Sequence, residues 1–87
     1  MPYEQLSFED GAVGRIRSIY MTVNNYLQTS MALHGRVVES ASVYALSRLE
    51  EVESLIATFP ESAEVQRWGT KYKEFLQHRD LYDPTVD

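Results

Sequence analysis

Eighteen consecutive residues, Ser18 to Gly35, carry no Lys, Arg, Asp or Glu. The chain as a whole is 24% charged, so a solvated surface helix of that length would be expected to hold about four charges. The stretch reads SIYMTVNNYLQTSMALHG, apolar side chains mixed with uncharged amides and hydroxyls. An element of this kind is covered over most of its circumference, and its polar groups need partners. It points to helix packing and to self-association, with no reaction implied.

The apolar positions recur at helical spacing through Ile16, Ile19, Tyr20, Val23, Tyr26, Leu27 and Met31. They continue through Val37, Val38, Ala41, Tyr44, Ala45, Leu49, Val52, Ile56 and Phe59. No proline interrupts the chain between Pro2 and Pro60. One helix of about 50 residues would be near 75 Å long and would need partners along its length. Glycine suits a helix C-terminus, so His34-Gly35 is the better break. Ser7 is the candidate cap of the first helix, with Glu9 and Asp10 suiting its positive end. Pro60 ends the second helix and Ser62 is the candidate cap of a third. There Val65, Trp68, Tyr72, Phe75, Leu76 and Arg79 share a face.

These signals predict an all-α chain, a hairpin or bundle completed by oligomerisation, with residues 84–87 a frayed tail. Its three helices fall near 8–33, 36–59 and 62–80, the first two possible as one continuous rod. The expected core is Ile19, Val23, Tyr26, Leu27, Val37, Ala41, Leu49, Val52, Ile56, Trp68, Tyr72 and Phe75. A strand reading competes, because SIYMTV and YLQTS flank Asn24-Asn25 and MALHGRVVES could form a second hairpin. Neither run alternates cleanly between apolar and polar, which favours helix.

Charge is segregated along the chain. Residues 11–38 hold three arginines and no acid, residues 39–64 six acids and one Arg, and residues 65–79 four Lys or Arg and one Glu. Helices alternating in sign gain modestly from antiparallel packing. The net charge of −5 argues against general nucleic-acid binding, which rests on Lys and Arg. Cysteine is absent, which excludes disulfides and thiolate metal sites. The start MPYEQLSFED has neither a basic end nor an apolar core, and the uncharged stretch is too polar to span a bilayer. The expectation is a cytoplasmic chain without membrane attachment.

Chemistry-bearing patterns are weak. His34 and His78 lack a ligand pair at metal-binding spacing; only Glu74 could share a face with a histidine. His78-Arg79-Asp80 spells a kinase tripeptide without any companion motif. Glu39, Glu50, Glu51 and Glu53 read as a solvated acidic face, and Gly11-Ala12-Val13-Gly14-Arg15 lacks the ending of a phosphate loop. No catalytic residue, metal site or cofactor is expected.

The expectation is instead a non-enzymatic protein–protein interaction module, an oligomeric adaptor, regulator or assembly factor. Phage-encoded adaptors and inhibitors are often of this composition. A homodimer or tetramer contact is expected at or near Ile19, Val23, Tyr26 and Leu27, with amides such as Asn24, Asn25 and Gln28 setting register. A second protein would dock on Arg67, Trp68, Lys71, Tyr72 and Phe75, aromatic anchors flanked by cations. The alternatives are an acidic inhibitor that mimics nucleic acid through residues 39–64, and a small enzyme without a recognisable motif.

Overall fold

A computed structural model describes residues 8–82. Three helices follow one another: α1 (Phe8–His34), α2 (Glu39–Thr58) and α3 (Ala63–His78). No strand occurs among the described residues, so the helical reading holds over the hairpin alternative. The expected Ser7 cap and the tail at 84–87 lie outside the described residues.

The break after His34 has a local cause. Gly35 takes φ of +70°, a conformation that costs a side-chain-bearing residue more, and its N–H donates to Met31 C=O at 2.9 Å. The helix was expected to resume at residue 36 but begins at Glu39, because the chain stays extended through Val38 (φ −73°, ψ 163°). Ser30 holds this turn. Its hydroxyl donates to Arg36 C=O at 2.7 Å and accepts from Val38 N–H at 2.9 Å.

Ser62 caps α3 as expected, its hydroxyl accepting from Val65 N–H at 3.2 Å. The same hydroxyl donates to Glu9, tying the starts of α1 and α3 together. Gln66 reaches back from α3, its amide donating to Ile56 and Phe59 C=O at 3.1 Å each. Those carbonyls belong to the end of α2, where partners along the helix run out. α3 stops at His78 rather than residue 80. Asp80 takes φ of +59°, and the N–H groups of Asp80 and Leu81 return to Gln77 and Leu76 C=O, a Schellman closure.

Cross-helix pairs give the topology. Arg15 meets Glu51 and Tyr26 meets Tyr44, so α2 runs antiparallel to α1. Glu9 meets Ser62 and Tyr20 meets Phe75, so α3 runs parallel to α1. The result is a flat body of 49 × 29 × 16 Å. Level with Tyr20, α3 has reached Phe75, and only His78 lies a turn further on. Beyond that level α1 continues from about Val23 to His34, roughly 16 Å of helix flanked by α2, while Leu81 and Tyr82, which follow α3, also pack against the core.

The core is a seam along all three helices. Ile16, Val23, Leu27, Val52, Val65, Tyr72 and Leu76 are fully buried, each aliphatic side chain among them worth roughly 1.5–3 kcal/mol. Ala41 and Ala45 are also buried, and their small side chains let α2 approach its neighbours closely. The core includes Ala12, Ile16, Ala45, Val65 and Leu76, which the expected core lacked. Val37, Ile56, Trp68 and Phe75 are only half-buried against it. Tyr26 departs from the expectation: it is 44% exposed because it turns to the outer edge, stacking on Tyr44 at 5.0 Å.

Candidate functional site

The residues expected at a subunit contact separate. Ile19, Val23 and Leu27 are enclosed within the chain, so only Tyr26 is placed to meet a neighbour. The uncharged stretch spends its apolar stripe on its own core, and what it offers outside is the adjoining face. Tyr26 belongs there to a groove of about 470 Å³ between α1 and the start of α2. Thr22, Asn25, Thr29, Leu33 and His34 line it from α1, with Val38 and Ser40 opposite and Ser30 at its base. No Asp, Glu, Lys or Arg contributes to it, nor does any residue of α3. Leu33 at its edge is 72% exposed, and Met31 and Val43 are exposed nearby at the turn end of the α1–α2 hairpin.

The amides expected to set register lie near this groove without being buried in a seam. Asn25 and Gln28 are exposed and Asn24 is half-buried, with Gln28 donating weakly to Asn24 at 3.4 Å. The buried polar group of the stretch is Ser30 instead, 4% exposed and fully bonded.

A second surface forms where α1 and α3 meet. Trp68 and Phe75 stand half-buried against Tyr20, whose ring lies 6.4 Å from Trp68 edge-on and 4.9 Å from Phe75. Arg17 lies 5.3 Å from the Trp68 centroid, Lys71 5.5 Å from it, and Arg79 4.9 Å from that of Phe75. Such contacts hold a cation over an aromatic ring by the ring's electron-rich face. Of the expected docking residues, Trp68, Lys71 and Phe75 share this patch. Arg67 is exposed but engaged with Glu64 at 2.7 Å. Tyr72 is fully buried and faces inward, its hydroxyl donating to Ala45 C=O at 2.8 Å. Burial raises the pKa of that hydroxyl well above its ordinary value.

Arg79, expected on the Trp68 face of the third helix, joins the patch, whereas Arg17 and Tyr20 join it without any signal in the sequence around Trp68. Arg17 and Tyr20 are three apart on α1, a spacing that puts both on one side, but which helix that side meets depends on topology.

The acidic face of α2 is partly neutralised within the fold. Arg15 donates to Glu51 at 2.9 Å, Arg48 reaches the same carboxylate at 3.1 Å, and Lys73 lies 3.3 Å from Glu53. The hydrogen bond from Arg15 holds the Glu51 carboxyl below its usual range, and Arg15 is raised by the same contact. The alternation of sign along the chain is thus used in packing α1 and α3 against α2.

His34 and His78 are exposed at the C-terminal ends of α1 and α3. Among the described residues, no three His, Asp or Glu side chains gather as metal ligands. No helix among them is long and apolar enough to cross a membrane. Compared with known proteins, the chain matches no family model, no curated protein and no solved structure.

Proposed function

We propose that the protein is a non-enzymatic interaction module that self-associates through the uncharged groove at the turn end of its α1–α2 hairpin. The observation that carries this is the groove's composition: no formal charge lines it, in a chain whose net charge is −5. A strongly charged partner would gain little there and would lose its own hydration. A second copy presents the same hydroxyls, amides and Tyr26 ring, which can pair with themselves across a two-fold axis. Burying Leu33 with Tyr26 would also remove exposed apolar surface from the least covered part of the fold. A self-associated chain carries two copies of every other surface, the arrangement an adaptor or assembly factor uses to bring partners together.

Sedimentation equilibrium at micromolar concentration tests the reading, with at least twice the chain mass expected. Leu33→Asp should give a folded monomer, because that side chain is already exposed and the core does not depend on it. Leu27→Asp would unfold the chain and so could not report on association. A wild-type protein that stays monomeric through this range would overturn the proposal.

A further inference from the structure

We infer that the cation–aromatic patch between α1 and α3 is a docking site for an acidic segment of a partner protein. This rests on the reading of the chain as an interaction module, and it concerns a surface separate from the self-association groove. Three features carry it.

The first is unspent charge. Arg15, Arg48, Arg67 and Lys73 each pair with a carboxylate, whereas no carboxylate of the described residues pairs with Arg17, Lys71 or Arg79. A cluster of cations without a carboxylate partner among the described residues, on a chain of net charge −5, is a local reversal of sign, and it complements an anion.

The second is preorganisation. Arg17 and Lys71 both rest on Trp68, and Arg79 rests on Phe75. Aromatic contact fixes where the charged groups stand before any ligand arrives, so less side-chain freedom is lost on binding. Two of the three are guanidinium groups, whose planar fork suits the two oxygens of a carboxylate.

The third is the shape beside them. A groove of about 470 Å³ runs along Tyr20, Lys71, Phe75 and Arg79. It is wide enough for an apolar side chain of the same segment to lie against Phe75 while neighbouring carboxylates meet the cations. Glu74 on its wall would repel a densely charged polyanion but leaves room for spaced acids. Single-stranded nucleic acid, the competing polyanion, binds by stacking bases on open aromatic faces. Here cations already sit over the Trp68 and Phe75 rings, and the net charge repels a continuous phosphate backbone.

Trp68 is the only tryptophan in the chain, so its fluorescence reads this patch directly. The probe is a synthetic peptide of about twelve residues in which Asp and Glu alternate with Phe and Leu, titrated at about 50 mM salt and followed also by calorimetry. A saturable change is expected, weakening as salt rises because the contacts are exposed. The same peptide with Asn and Gln in place of the acids should not bind. The double variant Arg17→Gln/Lys71→Gln should bind about tenfold more weakly, with its helical circular dichroism and association state unchanged. Leu33→Asp should bind the peptide like the wild type, which separates this site from the groove. The inference is overturned if the acidic peptide gives neither signal nor heat, if the amide peptide binds as well, or if the double variant binds unchanged. Tighter binding of an oligothymidylate than of the peptide would overturn it in favour of nucleic acid.

Discussion

A Cβ placed on Gly69 would lie 2.7 Å from Cγ1 of Ile56, so α2 and α3 meet at a point where one of them has no side chain. Glycine inside a helix costs about 1 kcal/mol relative to alanine, and here the close approach of Ile56 explains why it is used.

Gly69→Ala therefore sets two effects against each other. Overpacking costs about 1–3 kcal/mol, and helix propensity returns about 1. A net loss of about 1 kcal/mol is expected in urea unfolding. In an Ile56→Ala background the obstruction is gone, and the same substitution should become neutral or stabilising by up to about 1 kcal/mol. The change of sign between backgrounds is the diagnostic. Equal effects in both would mean that Ile56 does not limit the approach.

Ser30→Ala removes both bonds that hold the turn after α1 and leaves the Val38 N–H without its acceptor. The expected cost is about 1–3 kcal/mol, the usual penalty for a part-buried group left unpaired. Amide hydrogen exchange at Val38 should accelerate more than exchange in α3, which the turn does not touch. Unchanged exchange at Val38 would show that the turn holds without the hydroxyl.

Tyr72 makes the alkaline limit of the fold predictable. Its native pKa lies above the ordinary value of 10.0, so the folded state favours the neutral phenol. The stability this contributes is fully present below about pH 10 and falls as pH rises from there toward the native pKa, because the unfolded chain ionises first. Tyr72→Phe should cost about 1 kcal/mol at neutral pH through the lost bond to Ala45. At pH 11 the gap between wild type and variant should close, since ionisation favours the unfolded wild type by about 1.4 kcal/mol. Urea midpoints at pH 8 and pH 11 measure this, and a gap that stays constant would contradict it.

Helix number and most helix ends were legible from the chain because each depends on local chemistry. Gly35 supplies the positive φ, Ser62 the cap and Pro60 the stop. The third helix was expected to close at residue 80 and stops at His78, because Asp80 itself takes the positive φ that glycine more often supplies, at some cost. The facing of α1 was only partly legible. Apolar residues lie on several of its sides, so periodicity alone could not separate Ile19, Val23 and Leu27, turned inward, from Tyr26, turned out. The three amides drew attention as buried polar candidates, yet Ser30, with a shorter side chain, fits where they do not. The patch around Trp68 was half legible. Lys71 and Phe75 share its helix, while Arg17 and Tyr20 reach it only because α3 lies parallel to α1.

The short reach of α3 divides the molecule into ends of unequal firmness. Near Glu9 and Ser62, each helix has two neighbours, and opening there means losing most of the shared core. Past the last turn of α3, the hairpin is held by its own seam, the Ser30 clip and the Tyr26–Tyr44 contact, with only Leu81 and Tyr82 of the described residues after α3 packed against the core. That end can fray at a free energy below that of global unfolding. A ligand gripping it binds only the closed form, so occupancy would firm the tip and raise the thermal midpoint with concentration. Whatever covers the tip thus also sets how much of the hairpin is ordered at any moment.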